Sequence, residues 1–385
     1  MQDLKKQTPL PYGRQSIGED DILQVVETLK SPFLTTGPKV REFEAAVAKK
    51  VSAPLAVSFS SGTATLHGAM SAAGIGPGDE VLVPSMSFLA TANAVVFTGG
   101  RPILVDIKKG SFNLDVEDAA RKITPRTKAI APVHFAGEPV NLDAVHALAK
   151  KQNLIVIEDA AHALGARWKG KMVGNLSDMT VFSFHPVKHI TTGEGGMVTT
   201  GNPEFATRLK RFRHHGIDID AAAREVSNSW NYDMVELGYN YRLTDFQSAL
   251  GISQLGKLDR FVARRQKIAE LYDQLLGQDD RIVRPQVKFK DKEHAWHLYI
   301  ITLNSDLPEG TRDQLFKLLR AEGIGVNVHY RPIHLHSYYQ KTMKVGDVRC
   351  PNTEDVWKRI ISLPIFPDMA DADVVRVVDT IGRIS

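Results

Sequence analysis

The chain has 385 residues, of which 43% are hydrophobic and 24% are charged, the composition of an ordinary globular protein. Its net charge of +4 is too small and too dispersed to suggest a nucleic-acid-binding protein. Cys350 is the only cysteine, which excludes an intrachain disulfide and fits a reducing compartment. Because the first residues lack an apolar signal segment and no apolar run reaches membrane-spanning length, we expect a cytoplasmic protein without membrane or nucleic-acid partners.

Helix and strand patterns alternate along the first two-thirds of the chain. The pattern predicts helices at 19–29 and 40–50, separated by a Thr-Thr-Gly-Pro turn at 35–38. Apolar strands then alternate with helices, which is typical of an α/β fold with a mostly parallel, doubly wound sheet. The predicted strands are 55–59, 79–84, 102–106, 128–133, 154–158, 179–184 and 196–200. The predicted helices after residue 60 are 63–73, 89–97, 142–151, 204–212 and 246–255.

A long helix predicted at 257–276 leads out of this region. We therefore predict a large domain, residues 1–256, and a smaller α/β domain, residues 257–385. The second domain is predicted to contain strands at 298–303 and 325–329 and helices at 312–322 and 371–384.

A turn rich in Ser, Gly and Thr, residues 60–65, lies between the first strand and the helix that follows it. The N-terminus of a helix directs unpaired N–H groups and the positive end of the helix dipole to one point, so the turn is typical of an anion site. Many helices begin with Ser or Thr, and the turn alone is only moderately specific. Together with the lysine described next, it predicts that Gly62 and Thr63 hold a phosphate group.

Lys188 follows the strand 179–184 in a segment rich in Pro, Thr and Gly. Desolvation at a strand end would lower the pKa of the amine, and an uncharged amine forms a Schiff base with an aldehyde. Asp159 ends the preceding apolar strand, so both side chains are expected at neighbouring strand ends. Taken singly, a solvated lysine and a turn carboxylate are the simpler interpretations. Together with the phosphate turn they predict pyridoxal 5′-phosphate (PLP) as the cofactor, with no metal site.

Three motifs resemble the signature of the DegT/StrS sugar aminotransferases. They are Glu158-Asp-Ala-Ala-His-Ala-Leu-Gly165, Phe182-Ser-Phe-His-Pro-Val-Lys188 and Thr192-Gly-Glu-Gly-Gly196. The resemblance extends from about Leu10 to the C-terminus and implies the type I fold of PLP-dependent transferases, with a seven-stranded large-domain sheet. It also implies that Lys188 and Asp159 are the catalytic residues.

The resemblance implies further contacts that the residues alone leave open. Phe88 would lie against the cofactor ring, His162 would contact the ring hydroxyl, and Ser183 would join the phosphate site with Gly62 and Thr63. Asn240 would reach the phosphate bound by the other subunit, which implies a homodimer with shared active sites. The implied substrate contacts are Thr36, Gly37, His185, Arg242, His329 and Tyr330. Without the resemblance, a core position for Phe88, a turn role for Asn240 and a helix cap at 36–37 are simpler interpretations.

The resemblance implies an aminotransferase that moves the amino group of L-glutamate to a nucleotide-linked 4-keto-6-deoxy sugar for surface-glycan biosynthesis. The segments 188–194 and 329–334 are most similar to the pseudaminic acid branch of the family, which implies a UDP-linked sugar and amination at C4. Another nucleotide sugar, amination at C3, or a PLP-binding regulator are the alternatives.

Two other enzyme activities and one non-enzymatic function are less consistent with the sequence. Related sugar dehydratases carry histidine in place of the lysine, whereas Lys188 is present here. A cysteine desulfurase would need a thiol on a mobile loop, and Cys350 lies in an Arg-Cys-Pro context without a glycine-rich loop. A regulator would usually need a fused DNA-binding segment, and the helix 19–29 has no helix-turn-helix partner.

Overall fold

The computed structural model describes residues 8–219, 230–285, 292–343 and 345–383. The strands in these ranges are β1 (Leu55–Phe59), β2 (Glu80–Pro84), β3 (Arg101–Val105), β4 (Thr127–Ile130), β5 (Ile155–Asp159), β6 (Arg167–Trp168), β7 (Lys171–Met172), β8 (Met179–Ser183), β9 (Gly196–Thr200), β10 (Ile282–Val283), β11 (Lys292–Glu293), β12 (Tyr299–Leu303) and β13 (Ile360–Leu363).

The α-helices in the same ranges are α1 (Glu19–Leu29), α2 (Pro38–Val51), α3 (Gly62–Ala72), α4 (Leu89–Phe97), α5 (Val116–Arg121), α6 (Leu142–Gln152), α7 (Pro203–Phe212), α8 (Asp245–Gly256), α9 (Leu258–Leu275), α10 (Thr311–Ala321), α11 (Ser337–Lys341), α12 (Pro351–Arg359) and α13 (Asp371–Ile381). α1 and α4 begin and end where the sequence predicts them. The predicted end of the last helix, Ile384, lies outside the described residues. Within the described ranges, no helix has both the length and the apolar character needed to cross a bilayer.

The large sheet has seven strands in the order β1-β9-β8-β5-β4-β2-β3. β9 is antiparallel to both of its neighbours, β1 and β8. The other neighbouring pairs are parallel. The predicted mostly parallel sheet is therefore confirmed. β9 reverses direction because a loop without a crossover helix joins it to β8, and only an antiparallel pair can be connected in that way.

Helices cover both faces of this sheet because successive side chains of each strand point to opposite sides. On β8, Val181 packs into a buried cluster that includes Leu66 of α3. The next residue, Phe182, packs into a different cluster with Phe43 of α2 and Leu255 of α8. Since both faces are covered, the carboxyl edge of the parallel strands is where a ligand can reach the sheet.

A second core forms around a three-stranded antiparallel sheet of order β10-β12-β13. Its buried residues come from α9, α10 and α13, for example Tyr272, Leu315 and Val377. Leu10 of the N-terminal arm also packs into this core. The division of the chain after residue 256 stays a prediction.

The strand predicted at 325–329 is wrong. Ile324 and Asn327 form only isolated bridges, and the N–H of Gly325 donates to the carbonyl of Leu10 at 2.6 Å. The N-terminal arm therefore takes hydrogen bonds that a neighbouring strand would have used. One edge strand of the small sheet is instead β13, which follows directly from the helix α12 and lacks a turn to mark its start.

Candidate active site

Four strands of the large sheet end at one cleft with a volume of about 580 Å³. β1, β2, β5 and β8 run in the same direction, so the residues that follow them converge at the carboxyl edge. Ten of the predicted site residues line this cleft, and they are Gly62, Thr63, Phe88, Asp159, His162, Ser183, His185, Lys188, His329 and Tyr330.

The turn after β1 forms the N-terminus of α3. The side chain of Ser61 caps the helix by accepting a hydrogen bond from the N–H of Ala64 at 3.1 Å. The first N–H groups of a helix have no intrahelical acceptor, so those of Gly62 and Thr63 can bind an anion. A Cβ at Gly62 would lie 2.8 Å from the Oγ of Ser183. Glycine therefore allows the helix N-terminus and the Ser183 hydroxyl to lie side by side.

Asp159 ends β5 and is almost fully buried. One carboxylate oxygen accepts a hydrogen bond from the Thr91 hydroxyl at 2.7 Å, and the other accepts from the N–H of Ala161 at 3.1 Å. Ser87 lies 2.9 Å from the Thr91 hydroxyl and extends this network. Sequence analysis missed Thr91. Its place in the first turn of α4, one turn beyond Phe88, is a signal that could have indicated it.

Lys188 lies in the turn after β8, where its N–H donates to the carbonyl of His185. Desolvation lowers the pKa of its amine from 10.5 to about 8. Asp159 and Glu194 oppose this effect, whereas the positive charge of Arg265 adds to it. The amine can therefore exchange a proton near neutral pH, as a general acid–base group requires.

His162 and His297 stack with their ring centroids 4.2 Å apart. The Nδ1 atoms of both rings are buried and have no hydrogen-bond partner among the described residues. Burial, together with the charge of Lys188 and neighbouring imidazoles, holds the pKa of each ring well below its usual range. Sequence analysis missed His297, because it precedes β12 in an apolar segment without a recognisable motif.

His329 and Tyr330 reach the cleft from the second half of the chain. The Tyr330 hydroxyl lies 3.4 Å from Nε2 of His162, and its ring lies 5.6 Å from that of Phe88. Nδ1 of His329 is hydrogen-bonded to the Ser362 hydroxyl at 2.8 Å. The cleft is thus bounded on one side by the large sheet and on the other by the segment after α10.

Four predicted site residues lie elsewhere. Thr36, Gly37 and Arg242 line a second cleft of about 240 Å³. That cleft, which we call the basic cleft, is rich in cations and contains in addition Arg41, Lys210, Arg211 and Arg213. Asn240 has an exposed side chain and lines neither cleft, although its backbone is held in a bridge to His214.

Comparison with known proteins identifies the family. The DegT/DnrJ/EryC1/StrS aminotransferase family matches residues 15–382. The chain belongs to this family. Its members are PLP-dependent sugar aminotransferases, so the predicted enzyme class and cofactor are confirmed.

Relatives of this aminotransferase cover nearly its whole length. It is 41% identical to the spore coat polysaccharide biosynthesis protein SpsC of Bacillus subtilis over 377 residues, which is 97% of each chain. The structure of Spr1654 from Streptococcus pneumoniae in its pyridoxamine phosphate form matches with a TM-score of 0.91 and 31% identity, covering 97% of this chain and 98% of that one. PseC of Helicobacter pylori, an aminotransferase of pseudaminic acid biosynthesis, matches with a TM-score of 0.90 and 30% identity, covering 98% and 99%.

The residues at the sheet edge of this aminotransferase fit PLP. The helix N-terminus at Gly62 and the adjacent Ser183 hydroxyl supply donors for a phosphate. Asp159 is a buried acid that would suit the pyridine nitrogen, and Lys188 is a desolvated amine that would suit the aldehyde. The unpartnered Nδ1 of His162 leaves a buried polar atom in the same cleft.

The lowered pKa of Lys188 can be measured directly in the cofactor-free protein. Because burial brings the pKa to about 8, its reaction with an amine-selective acylating reagent should reach half of its maximal rate near pH 8. Brief labelling over a pH series, followed by peptide mass spectrometry, reports each lysine separately. Lys108, which is exposed, is the internal comparison. If both lysines titrate together, the amine of Lys188 is not desolvated as described.

Proposed function

We propose that this aminotransferase moves the amino group of L-glutamate to C4 of a UDP-linked 4-keto-6-deoxy N-acetyl sugar of the pseudaminic acid type. The observation that carries the proposal is the cleft in which Lys188, Asp159 and the helix N-terminus at Gly62 meet. The likeness to PseC and SpsC supports a sugar intended for a surface glycan. Residues 1–256 would hold the cofactor, and residues 257–385 would contribute His329 and Tyr330.

Each residue of the cleft has a proposed task. PLP, when bound, supplies an aldehyde that accepts an amino group and a ring that accepts electrons. Asp159 holds a proton on the pyridine nitrogen, while Thr91 and the N–H of Ala161 keep its carboxylate oriented. The N–H groups of Gly62 and Thr63 bind the phosphate. Phe88, which lines the same cleft, would contact the ring.

Lys188 moves the proton. With a pKa of about 8, its amine occurs in both protonation states near neutral pH, so it can accept a proton at one carbon and return it at another. His162 stays neutral because its pKa is lowered by burial, and it donates or accepts a hydrogen bond at the ring hydroxyl. A neutral imidazole at that point avoids a second positive charge beside Lys188.

The anionic parts of both substrates need cations. Among the described residues that line the active-site cleft, Lys188 is the only lysine or arginine, whereas the basic cleft contains Arg41, Arg242 and other cations. A diphosphate and the carboxylates of glutamate require such groups. We therefore propose that a homodimer brings the basic cleft of one subunit to the active-site cleft of the other, where Thr36, Gly37 and Arg242 contact the substrate.

The surface of the chain supports a dimer. α1 and the turn after it expose several large apolar side chains, including Leu23, Leu29 and Phe33. The segment before Asn240 also exposes large apolar side chains: Trp230 is 87% exposed and Leu237 is 72% exposed. Exposed apolar side chains mark protein–protein contacts where they lie together in a patch. A contact on this surface would carry the exposed side chain of Asn240 towards a second subunit.

The substrate can be identified by mass spectrometry. The enzyme, PLP and L-glutamate are incubated with a panel of UDP-, GDP- and dTDP-linked keto-sugars, and the position of the amine in each product is determined. We expect amination at C4 of a UDP-linked 4-keto-6-deoxy N-acetyl sugar and no product from Lys188→Ala, which has lost the reactive amine. Efficient amination of a different sugar or at C3 would contradict the proposed substrate. Full activity of Lys188→Ala would contradict the proposed chemistry.

Asp159→Asn isolates the contribution of the acid. The amide oxygen can accept from the N–H of Ala161 while the amide NH2 donates to the Thr91 hydroxyl, so the variant should fold and bind PLP, but a neutral group cannot hold the proton on the pyridine nitrogen. We expect most of the turnover to be lost, by about a hundredfold or more, while the melting temperature stays within a few degrees of that of the unmodified enzyme. Single-turnover conversion of bound PLP with glutamate measures the loss. Turnover close to that of the unmodified enzyme would remove Asp159 from the catalytic residues.

Complementation tests the shared site. Loss of the hydrogen bond from Asn240 to the phosphate should weaken PLP binding by about tenfold to a hundredfold in Asn240→Ala. Mixing Lys188→Ala chains with Asn240→Ala chains produces heterodimers in which one site has both residues and the other has neither. Activity at low PLP concentration and tight PLP binding should return in the mixture, whereas Lys188→Ala homodimers are inactive and Asn240→Ala homodimers bind PLP weakly. If subunit exchange is verified and neither returns, Asn240 does not act across the interface.

A further inference from the structure

The segment Ala295–Leu298 carries His297, which lines the active-site cleft, and the backbone of this segment is held by hydrogen bonds. The N–H of Ala295 donates to the carbonyl of Gly137 at 2.9 Å, and the N–H of Leu298 donates to that of Ala136 at 3.1 Å. Nε2 of His189 donates to the carbonyl of Ala295 at 2.9 Å. The backbone of this segment is therefore tied to the turn after β4 and to the residue after Lys188.

Arg265 of α9 holds the same segment from behind. Its Nη1 donates to the carbonyls of Trp296 at 3.2 Å, His297 at 3.3 Å and Ile365 at 2.9 Å. Trp296 adopts a φ of +51°, a left-handed conformation that a bulky side chain rarely takes without support. The guanidinium is thus the group that joins the carbonyls of this unusual turn to the helix α9.

Burial of the Arg265 guanidinium has an unusual free-energy cost. Arg265 is completely buried, and within the described ranges it forms no ion pair with an acidic side chain. Its Nε and Nη2 atoms also have no hydrogen-bond partner there. A buried cation without an opposite charge destabilises a fold relative to an apolar side chain of similar volume. Packing alone therefore does not explain a positive charge at this position.

The residue that Arg265 presents to the cleft is His297. Its imidazole stacks on that of His162 with the ring planes tilted by 36°, and both rings line the cleft together with Lys188. A stacked neighbour restricts rotation of the His162 ring, which has no hydrogen-bond partner of its own at Nδ1 among the described residues. The orientation of His162 thus depends in part on where the backbone of His297 lies, together with the Tyr330 hydroxyl 3.4 Å from its Nε2.

We propose that Arg265 is a positioning residue for the aminotransferase reaction: it fixes the Trp296–His297 backbone so that the His297 imidazole holds His162 in place beside Lys188. This inference rests on the functions proposed above for Lys188 and His162. It assigns a task to two residues, Arg265 and His297, that the proposed reaction does not otherwise use.

The charge of Arg265 has a second effect on the same site. It lowers the pKa of Lys188, whereas the carboxylates of Asp159 and Glu194 raise it. The imidazoles whose pKa values reflect a nearby Lys188 are those of His162, His185, His189, His297 and His329; burial keeps the pKa of each well below its usual range except at His185, which is exposed and has its pKa lowered less. Removal of the guanidinium leaves both carboxylates in place, so the pKa of the Lys188 amine should rise.

Three variants and one control test the proposal on the full-length protein. Arg265→Met removes the charge at similar volume, Arg265→Lys keeps the charge without the planar fork, and His297→Ala removes the stacked ring. Arg260→Met, on the exposed face of the same helix, is the matched control. The measurements are PLP affinity by absorbance titration, labelling of Lys188 over a pH series without cofactor, and melting temperature.

We expect all three variants to bind PLP at least about tenfold more weakly, because misplaced contacts in a preorganised site have effects of this size. Only Arg265→Met should also move the labelling midpoint of Lys188 to higher pH, because the guanidinium charge lowers the pKa of the amine. Arg260→Met should match the unmodified protein in each measurement.

Several outcomes would overturn the proposal. A purely structural Arg265 would change the melting temperature of Arg265→Met but neither the PLP affinity nor the labelling midpoint. If Arg265→Met does not fold, unchanged PLP affinity in both Arg265→Lys and His297→Ala has the same meaning. If the unmodified protein binds PLP no better than Lys188→Ala does, the cofactor is not held through Lys188. That result would contradict the proposed function, and with it this inference.

Discussion

Desolvation of one amine is the constraint on which the rest of this site depends. Lys188 has its pKa lowered to about 8 because apolar and neutral groups surround it at the end of β8. The neighbouring imidazoles are themselves neutral, since burial lowers their pKa values as well. A charged group at any of these positions would change the protonation of the amine, as the carboxylates of Asp159 and Glu194 and the guanidinium of Arg265 do.

The direction of the strands brings the chemical groups together. Gly62, Phe88, Asp159 and Ser183 belong to four separate strand ends, and they meet because β1, β2, β5 and β8 are parallel. Helices cover both faces of the sheet, so this edge is the route by which a ligand reaches it. The same geometry places a helix N-terminus next to the lysine turn, and a phosphate and an aldehyde can then be held by one short stretch of the sheet edge.

The charged side chains are distributed unequally between the two clefts. The active-site cleft is nearly neutral apart from Lys188, Asp159 and Glu194, whereas the basic cleft gathers arginines near Thr36 and Gly37. A desolvated amine requires that few cations lie near it, whereas a diphosphate site requires several. Cations crowded around the amine would lower its pKa further and suppress proton transfer. The composite site that we propose for a dimer would satisfy both requirements, since the cations would approach only from outside the cleft.

Local patterns in the sequence determined the strands of the large sheet, the helices α1 and α4, and the residues that end on the cleft. Hydrophobic periodicity and Gly/Ser turns act over about a dozen residues, so they can be recognised in the chain itself. Only the tertiary structure decided that Thr91 binds Asp159, that His297 stacks on His162 above Arg265, and that Arg242 lies in a separate cleft from Lys188. These contacts join segments that are far apart in the chain, and nothing in their local sequence records the packing of the elements that brings them together.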